Sequence, residues 1–190
     1  MIDSNLDQCP LPGVQLWSAS RHVDDRGEFV KTMHPSNSDV VGTFALREEF
    51  YSVSKRGVIR GMHFQVPPAD HTKIVVCMTG KILDVILDLR PGKCYGRSWS
   101  IPLDSAQPRT LVLPPGVAHG FLSLSDNSIV LYKTDHEYEP DHDQGIRWNS
   151  FGFQWPIEPH FDPAKYLSPR DLAHPLFADF ESPFAAEETT

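Results

Sequence analysis

The side chains best suited to chemistry in this sequence are its 9 histidines. A protein-bound cation needs histidine or acidic ligands clustered at fixed spacings. His63 and Gln65 share one face of a predicted strand, but glutamine is a poor metal ligand. His119 follows a tight turn at 113–116. The spacing does not predict a metal centre, and His63 taken alone is best interpreted as a hydrogen-bonded core histidine.

One strand pattern also carries paired carboxylates. In the run 82–90, side chains alternate, with Leu83, Val85, Leu87 and Leu89 on one face and Ile82, Asp84, Ile86 and Asp88 on the other. The fully apolar face is expected to pack on a core. Two carboxylates on one strand face can be acid–base groups or metal ligands. We interpret Asp84 and Asp88 instead as solvated or hydrogen-bonded strand residues.

Length and charge limit the class of protein. The chain has 190 residues, which fits one domain over 1–190 with its core at about 13–180. Its composition, 40% hydrophobic and 22% charged, is that of a globular protein. The net charge of −8 repels phosphate backbones, which argues against nucleic-acid binding as the main task. A local basic pocket for one small anion stays compatible with this charge.

The sequence predicts neither a membrane protein nor a secreted one. Its apolar runs are shorter than the roughly 18–20 residues that a spanning helix needs. The N-terminus, MIDSNLDQCPLPG, has no basic segment followed by an apolar one, so we expect no signal peptide. Cys9, Cys77 and Cys94 are odd in number and widely spaced, which argues against a disulfide framework and a CxxC site. We therefore expect reduced thiols in a cytoplasmic protein.

Short strands dominate the predicted secondary structure, because 17 prolines and 12 glycines divide the chain into short pieces. Turn-forming residues separate most of the strand-like runs, which lie at 14–17, 28–33, 44–53, 58–64, 73–78, 81–90, 97–103, 110–113, 120–124 and 129–136. This pattern is typical of a β-sandwich or barrel. The segment 169–180 favours a helix, with Ser168 as N-cap and Pro169 in the first turn, and Pro175 keeps that helix short.

The turn at 114–119 has a recognisable sequence, since PPGVAH resembles the second cupin motif, P-x-G-x-x-H. The segment 57–80 resembles the first cupin motif, with His63-x-Gln65 in place of H-x-H. That loss of a ligand is typical of one cupin branch, the dTDP-4-dehydrorhamnose 3,5-epimerase family. The sequence resembles this family in seven segments in family order, DRGEF at 25–29, RGMHFQ at 60–65, Lys73, DVILDLR at 84–90, AHGF at 118–121, YEP at 138–140 and LSPRD at 167–171.

The resemblance implies an all-β cupin-type jelly roll with a short C-terminal helical segment. It also implies a reaction, without metal or organic cofactor, on a nucleotide-linked 4-keto-6-deoxy sugar. The ketone at C4 acidifies the protons at C3 and C5. A base removes one of them, an enolate forms, and an acid returns a proton on the opposite face. Such a site needs a base, an oxyanion stabiliser, an acid and a group that binds diphosphate.

Family positions imply the catalytic roles. His63 is the expected base, because imidazole titrates near working pH. Asp171 is its expected partner, which holds the second ring nitrogen and fixes the tautomer. Lys73 is expected to stabilise the enolate oxygen. Tyr138 is the expected acid on the other face, because a phenol is protonated at neutral pH, whereas Tyr132 is interpreted as a packed wall residue.

The same resemblance implies a set of substrate-binding residues. Arg26 and Arg60 match diphosphate-binding arginines, whose planar guanidinium groups bind phosphate oxygens in pairs. His119 matches a histidine that contacts the sugar, and Phe29 matches an aromatic residue near the nucleotide base. Gln65, beside the expected base on the H-x-Q strand, is assigned to the same set.

Two departures from the family pattern concern the substrate. Where the family commonly carries Gln-x-Asn before Arg60, this chain has Glu48, Glu49 and Phe50, and Glu48 is assigned to substrate binding. The loop 91–96 also lacks the usual Ser-Pro-Thr. Both departures leave the reaction class intact, and the nucleotide, dTDP, GDP or CDP, stays open.

The resemblance further implies a homodimer in which N-terminal segments cross over and Phe29 reaches the partner's site. Three alternatives stay open. A mono-epimerase that inverts only C3 or only C5 needs the same His63, Lys73 and Asp171. A metal-dependent cupin is disfavoured because Gln65 and Lys73 replace ligands. A non-catalytic cupin that binds a sugar nucleotide is disfavoured because the whole catalytic set is retained.

Overall fold

Short strands carry most of the regular structure in the computed structural model, which describes residues 11–185. The strands are β1 Gln15–Ser18, β2 Ser20–Asp24, β3 Gly27–Lys31, β4 Glu48–Ser54, β5 Ile59–Gln65, β6 Lys73–Thr79, β7 Lys81–Asp88, β8 Ser98–Asp104, β9 Arg109–Leu113, β10 Val117–Ser123, β11 Ser128–Thr134 and β12 Asp143–Gly145. The helices are α1 Asp39–Thr43, α2 Pro163–Tyr166 and α3 Pro169–Ala173. Most strands follow the predicted runs, whereas β2, β12, α1 and α2 were not predicted.

Two five-stranded antiparallel sheets form the body of the fold. Their strand orders are β1-β9-β6-β11-β4 and β12-β5-β10-β7-β8. Apolar side chains from both sheets meet in one core, for example Val75, Leu111 and Val130 from the first sheet and Ile86 and Phe121 from the second. Burying each such side chain stabilises the fold by about 1.5–3 kcal/mol. The predicted jelly roll is confirmed.

The second sheet is buried on both faces. Its outer face, with Phe64 and Leu87, packs against the C-terminal segment through Trp148, Trp155 and Leu167. This packing explains the fully apolar face predicted for β7. Successive side chains of a strand point to opposite faces of the sheet, so the side chains on the inner face of β5 point toward the first sheet.

The predicted C-terminal helix forms and is shorter than 169–180. Ser168 caps α3 by accepting the main-chain N–H of Asp171 at 3.0 Å, as predicted. The helix ends at Ala173, just before Pro175, because proline cannot continue the hydrogen-bonding pattern. A 3₁₀ turn at Phe177–Asp179 follows. The cap places Asp171 in the first turn, beside β5.

Two positions in the second sheet allow an unusually close approach between strands. Gly61 on β5 has a φ of +114°, and a Cβ there would lie 2.5 Å from Cα of Gly120 on β10. A side chain at either position would push the two strands apart. Gly61 lies two residues before His63 and Gly120 directly follows His119, and these two histidines are paired across the strands.

No helix within residues 11–185 has the length and apolar character required to cross a membrane. Cys77 and Cys94 are both buried, and burial raises the pKa of the Cys77 thiol to about 11. Cys9 lies outside the described residues.

Candidate active site

A cavity of about 330 Å³ opens between side chains of both sheets. Among its lining residues are seven of the ten predicted site residues, namely Glu48, Arg60, His63, Gln65, Lys73, His119 and Tyr138. These residues lie on β4, β5, β6 and β10 and in the segment after β11. The jelly roll therefore brings together side chains from across some 90 residues of sequence.

The predicted pair of His63 and Asp171 is in direct contact. Nε2 of His63 lies 2.5 Å from Oδ1 of Asp171, which is 3% exposed. Burial works against ionisation of Asp171, but its interactions with the imidazoles of His174 and His63 outweigh it and hold its pKa well below the ordinary range. An ionised carboxylate only accepts, so Nε2 carries the proton and Nδ1 is the basic nitrogen. Burial lowers the pKa of His63, opposed by Asp171, which keeps the imidazole neutral.

Lys73 begins β6 and presents a cation to the cavity. Burial lowers its pKa to about 8, although Asp143 and Asp84 act in the opposite direction. The ammonium group is therefore still largely protonated at neutral pH. A desolvated cation gains from a nearby negative charge, so this position suits an oxygen that becomes anionic.

His119 forms a second histidine–carboxylate pair. Its Nε2 lies 2.6 Å from Oδ2 of Asp84 on β7, and both side chains are buried. Burial raises the pKa of Asp84, against the effect of His119. Asp88 pairs with Arg90 at 2.5 Å. The two β7 carboxylates are thus hydrogen-bonded, as interpreted, and the solvated option is wrong, because the second sheet is covered on both faces.

The side-chain amide of Gln65 forms hydrogen bonds with main-chain groups of the protein. Its Nε2 donates to the carbonyls of Ala69 at 2.9 Å and Glu137 at 3.1 Å, and its Oε1 accepts the N–H of Glu139 at 2.7 Å. These bonds occupy both ends of the amide. Gln65 therefore ties the segment around Tyr138 to β5, and because it also lines the cavity, its substrate contact stays a prediction.

Glu48 completes the support of Tyr138. Its Oε2 accepts the main-chain N–H of Tyr138 at 2.8 Å. The backbone of Tyr138 is thus held directly by Glu48 and on both sides by Gln65, while its side chain is 54% exposed. A hydrogen bond to Asp143 raises the pKa of the Tyr138 phenol. The segment after β11 is fixed at the cavity mouth, and its phenol is already paired.

Tyr132 is a second phenol at the cavity. It lies on β11 in the first sheet, facing the sheet that carries His63. Its ring stacks on Phe50 at 4.8 Å and meets the edge of His119 at 5.8 Å. Burial raises the pKa of Tyr132, so its hydroxyl stays protonated. Val130 lies two residues earlier and therefore on the same face of the strand, and this spacing was the sequence signal that Tyr132 faces inward.

The predicted nucleotide-binding residues divide into two groups. Arg60 lies on β5 at the cavity, where Nε donates to Oγ of Ser54 at 3.0 Å and Nη2 to the carbonyl of Val53 at 3.2 Å. Arg26 and Phe29 lie on the β2–β3 hairpin, and neither lines the cavity. The Arg26 side chain is 90% exposed, and Phe29 is 62% exposed. A single chain does not bring these two residues to the site.

One group of side chains has the composition of a metal site. Within residues 11–185, ligand atoms of His63, Asp171 and His174 lie within 4.8 Å of one another. Nε2 of His63 and Oδ1 of Asp171, however, are in hydrogen-bond contact at 2.5 Å. An ion bound about 2.0–2.1 Å from each would require these atoms to separate. In this arrangement the donor set acts as a hydrogen-bonded group.

Comparisons with known proteins identify relatives of this chain. The family model described as dTDP-4-dehydrorhamnose 3,5-epimerase matches residues 8–179. An enzyme of that name from Mycobacterium tuberculosis is 37% identical over 174 residues, covering 89% of this chain and 85% of that protein.

Solved structures agree with the sequence matches. An epimerase of Mycobacterium tuberculosis superposes with a TM-score of 0.84 at 35% identity, covering 91% of this chain and 88% of that one. The dTDP-4-dehydrorhamnose 3,5-epimerase of Bacillus anthracis, solved with TDP and pyrophosphate bound, gives a TM-score of 0.81 at 34% identity, with coverage of 89% and 97%.

Proposed function

The chain belongs to the dTDP-4-dehydrorhamnose 3,5-epimerase family and is an isomerase, and we propose that it inverts C3 and C5 of a 4-keto-6-deoxy sugar linked to a nucleoside diphosphate. The observation that carries this proposal is the contact between His63 and Asp171 at a cavity that Lys73 also lines. A base, a cation and protonated phenols around one cavity are what enolisation and reprotonation require.

His63 is proposed as the base. With Nε2 bound to Asp171, the neutral ring offers Nδ1 to the acidic proton beside the ketone. Its lowered pKa keeps it unprotonated at neutral pH. When His63 gains the proton, the adjacent carboxylate stabilises the imidazolium, as in other His–Asp pairs.

Lys73 is proposed to stabilise the enolate oxygen at C4. Its ammonium is desolvated, so its attraction to a full negative charge exceeds its attraction to a neutral ketone. This difference lowers the barrier, and one such donor typically contributes about 10²–10³ in rate.

Two phenols are candidates for the acid that returns the proton on the opposite face. The sequence assigns this role to Tyr138. The geometry favours Tyr132, because it lies on the sheet that faces His63 and is shielded from solvent. Tyr138, by contrast, is an exposed residue, and the neighbouring Asp143 raises the pKa of its phenol. The structure therefore favours Tyr132 as the general acid, and the sequence favours Tyr138.

Diphosphate binding is proposed for Arg60 within the chain and for Arg26 across a homodimer. The β2–β3 hairpin has no buried residue, and it exposes Val23 and Phe29. Exposed apolar side chains on a projecting hairpin mark a surface that a partner covers. A second copy would then receive Arg26 and Phe29 at its cavity.

Subunit complementation tests this arrangement. Arg26→Ala and His63→Asn chains are each expected to be nearly inactive. After the two are mixed and allowed to exchange subunits, one site of each heterodimer combines His63 with a partner's intact Arg26, so activity should return. If activity does not return although heterodimers form, Arg26 does not act across the interface. A monomer by sedimentation would also contradict the proposal.

Proton NMR in D₂O tests the function itself. The protein is incubated with dTDP-, GDP- and CDP-linked 4-keto-6-deoxy sugars, with His63→Asn as the control. We expect deuterium at both C3 and C5 of one sugar nucleotide and none with the control. Deuterium at both carbons with inversion at only one of them would support the mono-epimerase instead. Absence of exchange in every sugar would support a non-catalytic binding protein.

A further inference from the structure

A second imidazole contacts the carboxylate that holds His63. Nε2 of His174 lies 3.5 Å from Oδ1 of Asp171, the same oxygen that lies 2.5 Å from Nε2 of His63. The centroids of the two imidazoles are 5.6 Å apart, with their planes at 72°. One carboxylate oxygen therefore stands between two histidines, and the proposed mechanism uses only one of them.

Asp171 is the polar group that Nε2 of His174 faces. His174 is 8% exposed, and within residues 11–185 its Nε2 has no hydrogen-bond partner at ordinary distance. A buried N–H without a partner destabilises a protein, so a carboxylate at 3.5 Å is its natural acceptor.

The fold holds the His174 ring in a fitted place. A Cβ at Gly145 would lie 2.3 Å from Nε2 of His174, so the ring occupies the space where a side chain would stand. Gly145 is the strand partner of His63 across β12 and β5. The backbone of His174 is also fixed, because its carbonyl accepts Nε of Arg147 at 3.1 Å. The ring is thus wedged between a strand and the Asp171 carboxylate.

We propose that His174 is a positioning residue of this site, which donates to Asp171 and holds that carboxylate against His63 so that His63 is presented in one tautomer. His174 does not line the cavity, so it acts through Asp171 rather than on the substrate. The inference rests on the proposed function, in which His63 is the base.

The charges around His63 give the sign of the expected pH effect. Asp171 favours the protonated imidazole, and the cations of Lys73 and Arg170 disfavour it. Arg170 is itself paired with Asp143 at 2.5 Å. A donor at His174 withdraws negative charge from Asp171. Removing that donor leaves more charge facing His63, so His63 should then become easier to protonate.

Three variants separate hydrogen bonding from packing. His174→Leu keeps a similar volume and removes the donor. His174→Gln keeps an amide N–H at about the place of Nε2. Gly145→Ala removes no titratable side chain but displaces the His174 ring. Each variant is measured in two ways, by ¹⁵N NMR titration of His63 in the free protein and by kcat and KM for the sugar nucleotide.

We expect His174→Leu to lower kcat roughly 10- to 100-fold with KM within about twofold, and to shift the His63 titration upward by about half a pH unit. Gly145→Ala should reproduce both changes, and His174→Gln should reverse most of them. Equal losses in His174→Leu and His174→Gln would reduce His174 to a packing residue and overturn the proposal, as would an unchanged titration and kcat in His174→Leu. If His174→Leu does not fold, the other two variants decide.

The two readouts distinguish this inference from the proposed function. A wild-type protein that exchanges no sugar proton contradicts the function, whatever the titration shows. An active wild type whose His63 titration is the same in all three variants contradicts only the role of His174.

Discussion

Asp171 and His63 lie 108 residues apart in sequence, yet Oδ1 of one is 2.5 Å from Nε2 of the other. The two residues belong to different elements, His63 to β5 and Asp171 to the first turn of α3. The Ser168 cap fixes that turn by accepting the N–H of Asp171. The pairing therefore depends on how the C-terminal segment packs beside β5, and it creates a neutral histidine with one nitrogen held.

Substitution of this pair should separate the base from its partner. His63→Asn should abolish solvent exchange at C3 and C5, because no base is left. Asp171→Asn should lower kcat roughly 10²–10⁴-fold while keeping measurable exchange, because the ring loses its fixed tautomer. Deuterium exchange followed by NMR measures both, with His160→Asn, an exposed histidine, as the control. Near-normal turnover in His63→Asn would show that another residue is the base.

The same carboxylate should make the stability of the protein depend on acid. The pKa of Asp171 is lower in the folded chain than in the unfolded one. Ionised Asp171 therefore stabilises the folded state fully at pH values above its pKa in the unfolded chain. This stabilisation is lost as the pH falls below about 4. Urea unfolding of wild type and Asp171→Asn should show a free-energy gap at pH 7 that narrows toward pH 3. A gap that widens in acid would contradict the proposed pairing.

Lys73→Met should reduce activity and stabilise the fold. Loss of the cation should lower kcat about 10²–10³-fold. Because burial lowers the pKa of Lys73 to about 8, the folded state resists this charge at neutral pH. Met should thus raise the free energy of unfolding at pH 7, and the gain should shrink above pH 8, where wild-type Lys73 loses its proton.

Urea unfolding at several pH values, together with turnover assays, measures these Lys73 effects. Lys81→Met is the matched control, since Lys81 is 62% exposed and pairs with Asp104 at the surface. It should not change turnover, and it should not reproduce the stability gain that shrinks above pH 8. Unchanged kcat in Lys73→Met would remove Lys73 from the proposed mechanism.

The two phenols can be distinguished by comparing exchange with inversion. Tyr132→Phe keeps the stacked ring and deletes the proton donor. It should retain hydrogen–deuterium exchange through His63 while inverted product falls about 10²–10⁴-fold. Tyr138→Phe is the matched variant and should keep most inversion if Tyr132 is the acid. The opposite pattern would assign the acid to Tyr138, and equal loss of exchange and inversion in either variant would indicate sugar positioning.

Activity is expected to survive removal of metal ions. The proposed steps use imidazole, ammonium and phenol groups, and Gln65, at the second position of the H-x-H pattern, binds main-chain atoms. Dialysis against EDTA should leave kcat unchanged, and added Mg²⁺ or Zn²⁺ should not raise it. Loss of activity on chelation with recovery on adding a divalent metal would contradict this mechanism.

Local pattern in the sequence was enough to predict much of the fold and part of the site. The alternation along β7, the Ser168 cap and the turn before His119 each depend on residues a few positions apart, so their physics is local. Such features are determined by periodicity and backbone preference, which the sequence displays directly. The roles expected of His63 and Lys73 came instead from the resemblance to the family, and both residues line the cavity.

Only the tertiary structure decided how the polar groups are used. Whether Asp84 meets water or His119 depends on the covering of the second sheet. Gln65 binds a loop more than 70 residues away, and the face of Tyr132 matters because the two sheets meet there. In the sequence, His174 is only a residue that follows a short helix. The structure shows that Gly145 leaves the space that its ring occupies. Each of these contacts joins segments distant in sequence, and their energies depend on the packing that brings them together.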